Sequence, residues 1–159
     1  MIRPTTPDDT KALIALAEAS GLFEPQQTEE LSQMLAQHFT GTSNSPELWF
    51  TDDDGEPVGV AYTAPERMTE GIWNLYLIAI HPTRQKQGRG KALLFHVEKI
   101  LAERGDRVLL VETSGTEDFE YVRKFYQSNG YEQEAKIRDF YADGVDKIVF
   151  RKALNKLSA

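Results

Sequence analysis

The segment with the clearest chemical potential is Ile78-Ala79-Ile80-His81-Pro82-Thr83-Arg84-Gln85-Lys86-Gln87-Gly88-Arg89-Gly90-Lys91. An apolar strand runs into a basic, glycine-containing turn and then straight into an amphipathic helix. The start of a helix offers N–H groups without intrahelical acceptors, together with the positive end of its dipole, so it suits a phosphate. Gly88 and Gly90 allow backbone to approach an anion with no side chain between. Arg84, Lys86, Arg89 and Lys91 concentrate positive charge in a chain whose net charge is −7. A pyrophosphate is the expected guest. Two better-known loops do not match. A P-loop needs glycine at Gln85 and serine or threonine at Ala92. A dinucleotide fingerprint needs a third glycine at Leu93. An ordinary strand-to-helix turn with solvated charges is the competing reading of the same composition.

The elements that must position this turn follow from periodicity. Arg3-Pro4-Thr5-Thr6-Pro7 leads into a helix expected over 8–20, with Thr6 as cap, Pro7 in the first turn, Asp8 and Asp9 at the positive end and Gly21 past its end. A second helix is expected from Thr28, where Leu31, Met34, Leu35, His38 and Phe39 form one stripe. After a loop over 41–46 come strands near 47–51, 58–64 and 72–80, with Asp52-Asp53-Asp54-Gly55 as turn chemistry. A helix over 89–104 carries Leu93, Leu94, Val97, Ile100 and Leu101 and stops at Gly105. A buried strand at 108–113, a helix at 117–128 and strands near 131–138 and 146–152 complete the chain. This alternation predicts an α/β or α+β sheet of mixed direction covered by helices. A chain of 159 residues with no repeat suits one domain spanning 1–159.

Composition removes several function classes. The acidic balance argues against a nucleic-acid binder and mildly favours a cationic substrate. With no cysteine, disulfides, thiolate zinc sites and a cysteine nucleophile are excluded. His38, His81 and His96 lack carboxylates at ligand spacing, so no metal is expected. The amino terminus lacks the pattern of a signal peptide, and no apolar run approaches the roughly 18 residues that cross a bilayer. The expectation is a soluble, cytoplasmic protein without a membrane partner.

Gln85-x-x-Gly88-x-Gly90, following Ala79-Ile80-His81-Pro82, resembles the acetyl-CoA signature of the GNAT superfamily of N-acetyltransferases. Phe125-Tyr126-Gln127-Ser128-Asn129-Gly130-Tyr131 resembles that family's later motif, and the element order is similar over nearly the whole chain. The resemblance implies a mixed, mostly antiparallel twisted sheet of about six to seven strands covered by about four helices. It implies acetyl-CoA as co-substrate and an amine as acceptor. The backbone of Ile78, Ala79 and Ile80 would hold the pantetheine arm. The amides of Gln85, Lys86, Gln87, Gly88, Arg89 and Gly90, with Lys91, would hold the pyrophosphate. Tyr126 would act as general acid, with Phe125 beside it as the better core residue. Dimers are common in that family, so a homodimer is one expected assembly.

The chemistry asks for a base as well, because an amine of pKa about 10.4 is protonated at neutral pH. Many family members carry glutamate where this chain has Asn74. Glu112, a carboxylate ending an apolar strand, is the preferred base; a salt-bridged strand end is its bland alternative. Asn74 and Tyr76 share one strand face and could meet substrate, while Trp73, Leu75 and Leu77 share the other. Phe119 stands where the family often has asparagine, with Thr113 and Ser114 at hand to replace that contact. Asp139, Tyr141 and Asp143 lie between the last two strands, where an acceptor pocket and an acidic hairpin loop are equally open. The function expected is direct acetyl transfer to a primary amine of a small molecule, a peptide amino terminus or a lysine. An acyl-CoA-binding sensor without turnover is the alternative.

Overall fold

The computed structural model describes residues 1–21, 23–41 and 46–154. Its elements are β1 (Ile2–Pro4), α1 (Thr10–Ser20), α2 (Pro25–Thr40), β2 (Leu48–Asp53), β3 (Pro57–Pro65), β4 (Ile72–Ile80), α3 (Arg89–Glu103), β5 (Val108–Ser114), α4 (Glu120–Ser128), β6 (Glu132–Ala142) and β7 (Val145–Ala153). Single 3₁₀ turns cover Pro7–Asp9, Pro82–Arg84 and Glu117–Phe119. The seven strands form one sheet in the order β1-β2-β3-β4-β5-β7-β6. β4 and β5 run parallel, whereas β1–β2, β2–β3, β5–β7 and β6–β7 are antiparallel. Seven strands of mixed direction and four helices meet the expected fold class.

The boundaries of β4 agree with the alternation in the sequence. Other boundaries moved. The helix expected at 8–20 opens as a 3₁₀ turn, because the Asp9 carboxylate folds back to accept the Thr6 N–H at 2.8 Å. α2 begins at Pro25 rather than Thr28, because the Gln27 side chain accepts the Glu24 N–H at 2.7 Å and caps an earlier turn. The helix expected at 117–128 divides into the 3₁₀ turn and α4. The loop expected over 41–46 falls largely outside the described residues.

The chain divides into two compact units, residues 1–64 with 77–97 and residues 65–76 with 98–159. In the first, Leu13, Leu16 and Ala17 of α1 meet Leu31 and Leu35 of α2, with Trp49, Val60, Leu77 and Ala79 from the strands. Trp49 lies stacked on Tyr62 at 4.3 Å, so it is core as its size suggests. Gly21 ends α1 in the left-handed conformation at φ 71°. The entry to α1 is fixed by charge: Arg3 grips Asp9 in a fork, Nη1 to Oδ2 at 2.7 Å and Nη2 to Oδ1 at 2.8 Å. That guanidinium holds the carboxyl of Asp9, 5 % exposed, down at about 2.

The second unit is built around Leu101, Leu109, Val111, Phe150 and Leu154, all nearly or fully buried. Glu98 is also buried, at 2 % exposure, and is matched on both oxygens. The Tyr131 hydroxyl donates to Oε2 at 2.7 Å, and Lys152 Nζ donates to Oε1 at 2.9 Å. Lys152 also donates to the Asn129 carbonyl at 2.9 Å, tying the end of α4 to β7. Burial and the Glu98 charge together push the Tyr131 hydroxyl far above its usual range, so it stays a donor.

Two outcomes follow. Glu98→Ala takes the carboxylate from a half-buried Lys152 ammonium and the acceptor from the buried Tyr131 hydroxyl, and should cost about 1–3 kcal/mol in a urea titration. Asp9 titrates lower in the folded chain than unfolded, so its contribution is present above pH about 4 and is lost as pH falls toward about 2. Acid unfolding of Asp9→Asn should therefore lack a component of about 2 kcal/mol that the parent shows over that window.

Candidate active site

The basic turn lies in the first unit. Beyond Ile80 the chain leaves β4 as the His81 N–H bonds to the Val58 carbonyl at 2.8 Å, and the 3₁₀ turn carries it to Gln85. Ala79 is buried, whereas Ile78 and Ile80 are half-buried. The Gln85 side chain folds back to donate to the Ile80 carbonyl at 3.1 Å. Lys86 and Gly88 take positive φ, 63° and 79°, which turns the backbone sharply into the head of α3. Among the described residues, no acceptor of the chain meets the N–H groups of Gln85, Lys86, Gln87, Gly88, Arg89, Gly90 or Lys91. The first bond into the helix is that of the Ala92 N–H to the Gly88 carbonyl, at 3.0 Å. Unbonded backbone donors at the head of a 15-residue helix have the chemistry that suits an anion.

The four cations divide. Arg89 reaches Asp52 at 3.1 Å and Asp54 at 3.0 Å, and Arg84 also bonds Asp54. The pairing with both arginines lowers the Asp54 pKa. These arginines hold the turn against the β2–β3 connection instead of standing free for an anion. Lys86 and Lys91 are exposed, and Lys91 lies 5.4 Å from the centre of the Phe95 ring. The free positive charge beside the amides is thus supplied by two lysines rather than all four cations. A recess lined by Ile2, Asp52, Gln87, Gly88, Arg89 and Ala92 adjoins the turn.

A second cluster lies wholly within the other unit and centres on Asn74. This side chain is fully buried, and its amide nitrogen donates to Glu66 Oε1 and to Glu112 Oε2, each at 2.9 Å. Glu112 Oε1 accepts from Lys147 Nζ at 2.7 Å. Tyr76, on the same face of β4, donates its hydroxyl to Glu66 Oε1 at 3.2 Å. Strand register explains the arrangement. Asn74 pairs with Leu110 of β5, which places Glu112 two residues on, on the same face. Ser114 pairs with Lys147 of β7, which brings its ammonium to that face as well. Lys147 also lies 4.2 Å from the centre of the Phe140 ring, and Tyr141 has its pKa raised by burial and by Glu112.

Tyr126 belongs to this same unit. It is 3 % exposed and packs among Phe125, Tyr131 and Phe150. The expectation that Phe125 would be the core residue of the pair is reversed: Phe125 is half-buried and Tyr126 buried. Among the described residues the Tyr126 hydroxyl has no hydrogen-bond partner, and burial raises its pKa well above the usual value. Asp139 is taken by the hairpin itself. It sits at φ 54°, its carboxylate accepts the Gly144 N–H at 2.7 Å, and its own N–H goes to Asp146 at 3.0 Å. Ser114 bonds Thr116 at 3.1 Å.

Residues 44–133, more than half of the chain, match the acetyltransferase (GNAT) domain model. The chain belongs to the GNAT family. A GNAT-family protein from Desulfovibrio desulfuricans is 31% identical, covers 97% of this chain and 98% of its own, and superposes with a TM-score of 0.92. The ribosomal-protein-S18-alanine N-acetyltransferase of Escherichia coli shares the fold at 22% identity, with 97% and 93% of the two chains covered and a TM-score of 0.78. So does the PaiA N-acetyltransferase of Thermoplasma acidophilum in complex with coenzyme A, at 20% identity, 96% and 98% coverage and a TM-score of 0.72. No curated protein matches the chain.

For this GNAT chain, sequence reasoning missed Glu66 and Lys147. Glu66 follows β3 directly, and its N–H closes on the Ile72 carbonyl at 2.8 Å, a hairpin geometry that turn length alone could have suggested. Lys147 had no such signal, since only the passage of β7 between β5 and β6 brings it to Glu112. The arginine pairings have a direct consequence. Arg89→Ala leaves Asp52, at 3 % exposure, without its guanidinium. The variant should lose about 1–3 kcal/mol of stability, read from its guanidinium chloride midpoint.

Proposed function

We propose that this GNAT-family chain is an acetyl-CoA-dependent N-acetyltransferase that passes the acetyl group directly to a primary amine. The acceptor is a small molecule, a peptide amino terminus or a lysine. The observation that carries the reading is the row of seven N–H groups, Gln85 to Lys91, that meet no acceptor among the described residues at the head of α3. A pyrophosphate presents only acceptor oxygens, so the donor set fits it, and Lys86 and Lys91 supply the matching charge. Ile78, Ala79 and Ile80 offer the strand-end backbone for the pantetheine arm. When bound, the co-substrate supplies a thioester open to attack by nitrogen.

The chain's own residues supply the proton chemistry. Glu112 is a carboxylate that takes a proton from the acceptor, directly or through water. Tyr126 holds its proton firmly at Oη, because burial opposes the phenolate. It is thereby kept in the protonated form that a general acid for a departing sulfur would need. Asn74 orients both carboxylates and Tyr76 orients Glu66. With no cysteine in the chain, a thioester to the enzyme is ruled out and direct transfer is the simplest course. The family's dimers make a homodimer an assembly to test by sedimentation. No helix among the described residues is long and apolar enough to cross a membrane.

Thermal shift with CoA, acetyl-CoA and ATP tests the cofactor. Stabilisation by both CoA species and not by ATP is expected, and the opposite pattern would refute the assignment. Thiol release from acetyl-CoA across an amine panel then separates an enzyme from a binding module. Binding with no release by any amine would favour the module. Tyr126→Phe should lower kcat about 10²-fold or more while leaving the Kd for CoA unchanged. An unchanged kcat would remove Tyr126 from the proton path.

A further inference from the structure

We infer that Glu66, in the connection between β3 and β4, binds the acceptor in its ammonium form and so restricts the enzyme to cationic amines. The inference rests on the transferase reading and adds the residue that selects the substrate class.

Three observations lead to it. First, Glu66 stands on a closed turn: its N–H bonds the Ile72 carbonyl at 2.8 Å and its carbonyl accepts the Thr69 hydroxyl at 2.8 Å. Arg107 and Val108 anchor the far side of that turn, both donating their N–H to the Gly71 carbonyl, at 2.7 and 3.1 Å. Gly71 is needed there, at φ 71°, because a Cβ would lie 3.2 Å from the Arg107 nitrogen. Second, the carboxylate is oriented without being neutralised. Oε1 accepts from Asn74 and from Tyr76, both uncharged donors, and among the described residues Oε2 meets none. Third, the local charges do not cancel. Asn74 joins two carboxylates, and Lys147 is the one cation paired with them among the described residues. Lys147 sits on Glu112, so the unmatched negative charge resides on Glu66.

An orientable, uncompensated carboxylate beside a Tyr76 ring that is 52 % exposed is suited to an arriving ammonium. Neutral amines and alcohols lack the charge that completes the set. Asn74 is here a positioning residue. Its buried amide fixes the orientation of Glu66 relative to Glu112, and both hydrogens of that amide are engaged by the two carboxylates.

Glu66→Gln tests this, because the glutamine oxygen can still accept from Asn74 and Tyr76 while the charge is gone. The probes are spermidine, lysine amide and an alanine-initiated tetrapeptide. The one that releases most thiol from acetyl-CoA with the parent enzyme is titrated calorimetrically into the enzyme–CoA complex. The Kd of that amine should rise about tenfold or more in Glu66→Gln, and its KM with it, while the Kd for CoA stays unchanged. In the parent, added sodium chloride should weaken amine binding, and this dependence should shrink in the variant. Equal amine affinity in the two proteins, or a parent affinity indifferent to salt, overturns the role of Glu66. A parent that binds CoA but turns over no amine defeats the transferase reading instead, and this inference with it.

Discussion

The alternation of side chains along β4 is the constraint on which the rest depends. Nine extended residues, Ile72 to Ile80, must send successive side chains to opposite faces. Trp73, Leu75, Leu77 and Ala79 take one face and are buried. Asn74 and Tyr76 therefore share the other, where Asn74 is buried and Tyr76 is open to solvent. A buried amide next to apolar strands must find partners for its hydrogens. Glu66 and Glu112 are those partners, so a strand-pattern requirement becomes a polar cluster. Further along the same strand, the last residues deliver the chain to the turn at the head of α3.

That turn shows how a basic segment can be divided between structure and chemistry. Asp52, near the end of β2, and Asp54, in the β2–β3 connection, engage Arg84 and Arg89 and fix the path of the backbone. Charge matched in this way cannot also be offered to an anion at full strength. What is left for an anion is the set of unbonded amides and two exposed lysines, and backbone donors cost no side-chain ordering when they bind.

In the second unit the same physics gives two different carboxylate networks. Glu98 is enclosed, with both oxygens satisfied by Tyr131 and Lys152, and it ties α3 to α4 and β7. Glu112 and Glu66 share a single amide and, among the described residues, have one lysine between them, which leaves negative charge beside the exposed Tyr76 ring. A closed network gives rigidity, whereas an incomplete one retains the capacity to bind. Tyr126, buried among aromatics with its hydroxyl proton firmly held, belongs to neither network.

Local pattern alone determined what depends on neighbours in the chain. The extents of β4 and α3, Gly21 in the left-handed position after α1, and the glycine-bearing turn were all legible, because periodicity and backbone freedom act over a few residues. The two quoted motifs sufficed to indicate the GNAT family. Tertiary structure decided whatever needed residues far apart. It paired the loop arginines with Asp52 and Asp54, buried Tyr126 rather than Phe125, and used Asp139 to close a hairpin. Glu66, Asn74, Glu112 and Lys147 are spread over more than half the chain, and their meeting follows from strand order and register. Residue type can be read one position at a time, but the partner that completes a charge or a hydrogen bond is set by the path of the folded chain.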